Sequence, residues 1–225
     1  MNPNRYSIRA LALMLGYPDQ GLREHLPALM DAIDAEAAVT PARRRELRAF
    51  AAELARMDSY DTEARYVETF DRGRNTSLHM FEHVHGDSRD RGPAMIDLGQ
   101  TYQKAGLFLE DGELPDHLCV VLEFASTQPP GVARDFLAEM AHVLTIIFSA
   151  LLKRGSPYAA VVAAVLELAG QKVQAVPIEL EESIDETWAE PEAFDGCSTR
   201  GQARPGDPQP LHFVRRTNAQ PGAVA

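Results

Sequence analysis

Residues 132–153 read VARDFLAEMAHVLTIIFSALLK, and this stretch decides the fold class. Its apolar side chains recur every three or four positions, the spacing that predicts one face of a helix. Those side chains are Phe136, Leu137, Met140, Val143, Leu144, Ile147, Leu151 and Leu152. The run also carries charged and polar residues, namely Arg134, Asp135, Glu139 and His142. We therefore expect one long, buried core helix rather than a membrane span.

The segments on either side show the same pattern between helix-capping residues. They predict seven further helices: residues 4–15; 22–33, with a kink or new start at Pro27; a helix from Thr40-Pro41 through Leu47, Phe50, Ala51 and Leu54; one capped by Ser59 or Asp61 and closed by Gly73; 93–109; 115–125; and one from Ser156-Pro157 to Gly170. No segment shows the two-residue period of a strand. We predict an all-α fold, a single helical bundle domain of about eight helices over residues 1–172.

Residues 173–225 have the composition of a disordered tail, acidic at first and then rich in proline and glycine. Between Glu179 and Asp195 there are eight acidic residues and no Lys or Arg, so this run carries most of the chain's net charge of −11. Three interpretations stay open. The run is a solvated tail, an electrostatic lure for a basic peptide, or an intramolecular mimic that competes with such a peptide.

The net charge, the cysteines and the N-terminal residues limit the classes of protein to which the chain can belong. A negative net charge argues against nucleic acid as the main partner. The two cysteines, Cys119 and Cys197, make no disulfide framework and suit a reducing compartment. The N-terminal apolar run is short, contains Arg9 and ends in Gly-Tyr-Pro. We interpret it as the first helix of a cytoplasmic protein without direct membrane insertion, and not as a signal peptide.

Residues 66–98, YVETFDRGRNTSLHMFEHVHGDSRDRGPAMIDL, hold the densest group of ionisable side chains in the chain. Within them, residues 79–83 match the His-x-x-Glu-His pattern of one class of zinc peptidase. On a helix, His79 and His83 would share a face and could bind Zn²⁺, with Glu82 as general base. No third ligand stands out, and the alternative is that these side chains form hydrogen bonds at the rim of the core.

The arginines of the same segment permit an anion pocket or a charge network that fixes the loop. Residues 71–91 contain equal numbers of arginines and acidic residues. The arginines are Arg72, Arg74, Arg89 and Arg91, and the acidic residues are Asp71, Glu82, Asp87 and Asp90. The chain has no glycine-rich phosphate loop and no marked serine or cysteine nucleophile. We therefore expect a protein that is not an enzyme and binds no metal, and we keep a zinc hydrolase as the alternative.

Residues 66–98, together with YQKAGLFLEDGELPDHLCVVLEFAS at 102–126, resemble the delta subunits of respiratory nitrate reductase. These are molybdenum-cofactor assembly chaperones of the NarJ type, and the resemblance covers most of residues 4–170. It implies an all-α, non-catalytic cytoplasmic chaperone of nitrate assimilation. Such a chaperone binds the N-terminal segment of the nitrate reductase alpha subunit. It holds the apo alpha–beta complex until molybdenum cofactor, and by extension iron–sulfur clusters, are inserted. The complex then docks on its membrane subunit without the chaperone.

The resemblance also implies a set of residues that face the client peptide or shape its site. They are Tyr66, Phe70, Arg72, His79, Phe81, Glu82, His83, His85, Asp87, Arg89 and Asp90. Apolar members of this set would supply the affinity, and acidic members would pair with basic client residues. We expect no stably bound cofactor and a monomer or weak dimer. A helical adaptor for another client remains an alternative. Histidines at a peptide groove would make client affinity depend on pH, with a sign that is open.

Overall fold

The computed structural model describes residues 2–86 and 88–178. Over these residues the chain forms ten α-helices and one 3₁₀ turn, at residues 74–76. The helices are α1 (Arg5–Met14), α2 (Gln20–Glu36), α3 (Pro41–Arg56), α4 (Ser59–Phe70), α5 (Met80–His85), α6 (Arg91–Lys104), α7 (Leu118–Thr127), α8 (Pro130–Glu139), α9 (Ala141–Lys153) and α10 (Ala159–Leu168). The described part has no strand beyond one isolated bridge between His79 and His117. The all-α prediction is confirmed.

The centre of the bundle is α10, whose sequence AAVVAAVLEL is apolar except for Glu167. Eight of its ten residues are buried, and the helix packs against α1, α3, α8 and α9. Ala163 and Ala164 let neighbouring helices approach closely, while Val161, Val165 and Leu166 fill the space between them. Full burial of one such Val or Leu side chain stabilises the fold by about 1.5–3 kcal/mol.

The stretch predicted as one long helix, residues 132–153, is two helices. α8 and α9 meet at an angle of 65° at Met140, whose amide N–H bonds to the Leu137 carbonyl in a tightened last turn. Leu137 of α8 and Leu144 and Ile147 of α9 lie in the main core, and Phe136 packs both against that core and against a second apolar cluster. The prediction of a single helix was wrong because no proline or glycine marks this bend.

Helix ends also differ from the predicted positions. Asp58, not Ser59 or Asp61, caps α4, with its carboxylate accepting from the Tyr60 amide at 2.9 Å. α6 ends at Lys104 rather than near 109, α7 begins after Pro115, and Pro27 lies inside an unbroken α2. The short helix α5 was not predicted as a helix. Within residues 2–86 and 88–178, no single helix is long and apolar enough to cross a membrane. The bent pair α8–α9 passes that test by length and composition only.

Two features outside the main core position the site. A smaller apolar cluster of Leu98, Tyr102 and Phe124 joins α6 to α7, and the Tyr102 hydroxyl donates to the Pro115 carbonyl at 2.8 Å. Residues 171–178, on which the predicted domain boundary falls, have no helix and run beside α9, where the Val176 amide donates to the hydroxyl of Ser149. The predicted tail from residue 179 onward lies outside the described residues.

Candidate functional site

The first part of the 66–98 segment belongs to the core. Tyr66 and Phe70 lie on the inner face of α4 and are buried. The Tyr66 hydroxyl donates to the carbonyl oxygen of Leu15 at 2.8 Å, and both aromatic rings pack edge-on against Tyr158. Burial raises the pKa of Tyr66 well above its ordinary value. These two members of the predicted set therefore support the site from within the core.

The chain turns sharply after α4, at Gly73. A Cβ at this position would collide with Oγ1 of Thr76 and come within 2.9 Å of the guanidinium of Arg154. Only glycine fits such a close approach. Arg72 and Arg74, on either side of the turn, are exposed. The turn therefore brings the 3₁₀ residues against the C-terminal end of α9.

The polar part of the segment is organised around Asp116, which lies outside it, in the loop before α7. Its side chain is fully buried, with 0% exposed. One carboxylate oxygen, Oδ2, accepts from the amide of Phe81 at 3.1 Å, and the guanidinium of Arg91 is 3.7 Å away. The other, Oδ1, is 3.5 Å from Nδ1 of His79. The Met80 amide also donates to the Asp116 carbonyl at 3.0 Å. One buried residue thus fixes the start of α5.

The partners of Asp116 keep it ionised in spite of its burial. Burial by itself would raise the pKa of Asp116, but His79, the Phe81 amide and Arg91 together hold it below its ordinary value. In return, the Asp116 carboxylate facing Nδ1 raises the pKa of His79 and outweighs the partial burial of the imidazole. At 3.5 Å this contact is too long for a strong hydrogen bond, so the attraction is mainly ionic.

Glu82 is engaged inside the protein. Its Oε2 accepts from the hydroxyl of Ser77 at 2.6 Å, and its Oε1 lies 3.4 Å from the Arg91 guanidinium. Arg91 therefore stands between two carboxylates, one buried and one partly exposed. This geometry favours a charge network that fixes the loop over an anion pocket.

The two neighbouring histidines differ from His79 because they favour the neutral form. Burial lowers the pKa of His83, whose Nε2 is 2.9 Å from the Ser77 carbonyl oxygen. His117 caps α7, accepting from the Cys119 amide at 3.3 Å, and burial together with the nearby His79 lowers its pKa. The His79 and His117 rings meet edge to face, with centroids 5.1 Å apart.

The His-x-x-Glu-His residues are not assembled for zinc. His79 precedes α5 and faces Asp116, while His83 faces the Ser77 carbonyl and Glu82 faces Arg91. Over residues 2–86 and 88–178, no three His, Cys, Asp or Glu side chains are placed to hold a metal ion. Among the described residues, the geometry does not support the zinc-hydrolase alternative.

The remaining predicted residues lie at or near the surface. Phe81 is half-buried against the Leu98–Tyr102–Phe124 cluster, and the ring of His85 meets it edge-on, with centroids 5.5 Å apart. Arg89 and Asp90 are exposed in the turn before α6. Asp87 lies outside the described residues.

α5 separates two concave surfaces. The first, which we call the polar cavity, has a volume of about 580 Å³. Ile146 of α9 forms part of one wall, and the polar lining is Asp71, Arg74, Asn75, Ser77, His79, Glu82, His83 and Arg91.

The second surface, which we call the α5 groove, has a volume of about 570 Å³. Its apolar lining consists of Met80, Phe81, Val84, Leu98, Phe136 and Val143, with Met140 at the bend. Two carboxylates, Asp97 and Glu139, also line it, together with His142, Thr101 and Ala94. Another groove of about 560 Å³, mostly apolar, lies between α1, α2 and α7, and we call it the α1 groove.

Sequence reasoning missed Asp116 and His117. Both follow Pro115 at a predicted helix start, where a polar residue is ordinarily an exposed cap. Nothing in the local pattern indicates that Asp116 is buried or that its partners lie 25 to 37 residues earlier in the chain. The available signal was the large number of hydrogen-bond donors, charged and neutral, between His79 and Arg91. Donors that are buried need an acceptor nearby.

Comparison with known proteins places this site in a family context. Residues 18–164 match the family model described as "Nitrate reductase delta subunit". The "Nitrate reductase molybdenum cofactor assembly chaperone NarJ" of Escherichia coli K12 is 39% identical, covering 85% of this chain and 81% of that protein. The "Probable nitrate reductase molybdenum cofactor assembly chaperone NarW" of the same strain is 38% identical, covering 74% of this chain and 69% of that protein. A Bacillus subtilis relative, also named a probable NarJ chaperone, is 32% identical over 67% of this chain and 80% of its own length.

Proposed function

The chain belongs to the nitrate reductase delta subunit family, and we propose on that basis that it is a cytoplasmic, non-catalytic assembly chaperone of a nitrate reductase. It binds the N-terminal segment of the alpha subunit and holds the apo alpha–beta complex while molybdenum cofactor is inserted. Iron–sulfur clusters are inserted while the chaperone holds the same apo complex. The chaperone leaves before the complex docks on its membrane subunit and is not part of the finished enzyme.

The α5 groove is the observation that carries the proposal. It is bordered by the segment on which the family resemblance rests, and its lining is apolar where a peptide helix would lie. At about 570 Å³ it falls in the size range of ligand sites, enough for apolar side chains from one or two helical turns. An amphipathic helix binds such a groove through residues spaced i, i+3, i+4 and i+7.

Charge favours a client segment that carries Lys or Arg. Asp97 and Glu139 lie on the α5 groove, and the chain as a whole has a net charge of −11. Such a potential speeds the approach of a basic peptide and selects against acidic ones. The resemblance gave this role to Glu82, Asp87 and Asp90. The oxygens of Glu82 already meet Ser77 and Arg91, so Asp97 and Glu139 take its place.

The Asp116 network keeps the groove wall in place before the client arrives. Its bonds to Phe81 and Met80 fix the first turn of α5, the helix that presents Phe81 and Val84 to the groove. A preformed wall saves the ordering cost that binding would otherwise incur. The chaperone assists cofactor insertion by holding the client in an open form, without a stably bound cofactor of its own.

The test is titration of the labelled N-terminal peptide of the cognate alpha subunit against groove variants. Val84 of the α5 groove and Leu13 of the α1 groove are matched, with 50% and 54% of their surface exposed. Val84→Ser removes apolar contact worth about 1.4 kcal/mol, so we expect about tenfold weaker binding. Leu13→Ser leaves the affinity unchanged. If Leu13→Ser alone weakened binding, the α1 groove would be the client site. If wild-type protein did not bind the peptide, the chaperone proposal would fail.

A further inference from the structure

The described chain ends beside the polar cavity. From Gln171 it runs along α9, where the Val176 amide donates to Oγ of Ser149 at 3.0 Å and Nζ of Lys153 donates to the Ile178 carbonyl at 2.9 Å. Ser149 and Lys153 follow Ile146 at i+3 and i+7, so the three share one face of α9. Ile146 forms part of the wall of the polar cavity. The residues after 178 therefore start within one or two helical turns of that cavity.

Basic side chains surround this exit point. Lys153 and Arg154 end α9 and are exposed, and the Arg154 guanidinium lies against Gly73, which lines the polar cavity. Arg74 and Arg91 lie in the cavity lining itself. Of the acids there, Glu82 is held by Ser77 and Arg91, and Asp71 is exposed. Lys153 and Arg154 are therefore two exposed cations at the point where the described chain ends.

The next nine residues, 179–187, read ELEESIDET and contain five carboxylates and no basic residue. We propose that this segment docks in cis on the basic end of α9, at the mouth of the polar cavity, with its carboxylates paired to Lys153 and Arg154. The reach is sufficient. Lys153 and Ile146 are about 10 Å apart along the helix axis, and eight extended residues span about 26 Å.

The docked segment gives the acidic run a specific partner. It leaves the α5 groove open on the opposite side of α5, so client binding does not require its release. The acidic residues closest to the body thereby act as an internal ligand of Lys153 and Arg154 at the mouth of the polar cavity.

Trp188 is the only tryptophan in the chain and follows the segment directly, so its fluorescence reports docking in the full-length protein. The measurement is acrylamide quenching and anisotropy of Trp188, without any client. The test variant is Lys153→Glu/Arg154→Glu. The matched control is Arg45→Glu/Arg56→Glu, which reverses two exposed arginines on α3. A second test variant, Glu181→Gln/Glu182→Gln/Asp185→Asn/Glu186→Gln, changes only residues outside the described part of the chain.

We expect the ratio of docked to undocked chains to fall about tenfold in both test variants, because each exposed charge pair contributes a factor of a few. Quenching rises toward the value of the urea-unfolded chain, while the control variant matches wild type. About 0.5 M NaCl has the same effect on wild type through screening. Circular dichroism separates undocking from unfolding. The proposal is overturned if Trp188 of wild type is quenched as freely as in urea, or if the control shifts quenching as much as the test variants.

Discussion

Replacing Asp116 by alanine should cost more stability than any single surface change in this protein. The substitution leaves the Phe81 amide without its charge-assisted acceptor, which costs about 1.5–3 kcal/mol. It also removes the ionic partner of His79 and Arg91, both partly exposed, which adds less than about 1 kcal/mol each. Together we expect the free energy of unfolding to fall by about 2–4 kcal/mol. Asp116→Asn, which keeps an acceptor of the same shape, should lose about half of that.

The assay is urea unfolding at pH 7 followed by circular dichroism at 222 nm, with the slope checked for two-state behaviour. Asp97→Ala is the matched control. It removes an exposed carboxylate on α6, and we expect a change within about 0.5 kcal/mol. If Asp116→Ala lost no more stability than Asp97→Ala, the Asp116 network would not hold the site together, and the argument for a preformed groove wall would be refuted.

Three further predictions use the same structure. First, the free-energy coupling in a His79→Gln/Asp116→Asn double-mutant cycle should be larger at pH 5.5 than at pH 8. Because its pKa is raised in the folded state, His79 contributes stability that is fully present below about pH 6.5 and is lost as the pH rises through the folded-state pKa. Because its pKa is lowered in the folded state, Asp116 contributes stability that is fully present above about pH 3.9. Equal coupling at both pH values would contradict an ionic pair. Second, Gly73→Ala should destabilise by about 1–3 kcal/mol in thermal unfolding, whereas Gly92→Ala, in open space on α6, should stabilise by up to about 1 kcal/mol. Third, EDTA should leave the melting temperature unchanged, and stoichiometric zinc that is lost in His83→Ala would restore the hydrolase alternative.

The sequence correctly predicted features that depend on interactions within a single helix. The Thr40-Pro41 start of α3 is correct, since the Thr40 hydroxyl accepts from the Arg43 amide at 3.3 Å. Phe50 and Leu54 are buried on the face that their spacing predicted. Caps and apolar spacing act over one or two turns of a single helix, so they can be read without knowing the fold.

Two features could not be read in this way. The bend at Met140 is not marked in the local sequence, and Phe136 just before it packs on Tyr102 and Phe124, which lie far away in the chain on α6 and α7. Asp116 has an unremarkable helix-start context, and its importance comes from partners contributed by α5 and α6. Conversely, the His-x-x-Glu-His spacing would predict a zinc site only if His79 were inside a helix, and it precedes α5 instead.

The central claim is that the chain recognises the N-terminal segment of a nitrate reductase alpha subunit. It is tested most directly by calorimetric titration of the full-length protein with that peptide and with a scrambled peptide of equal composition and charge. We predict saturable binding of the authentic peptide at least about a hundredfold tighter than the scrambled one, a difference of about 2.7 kcal/mol. Equal affinity for both peptides would show a generic helical adaptor driven by charge and would contradict the proposed function.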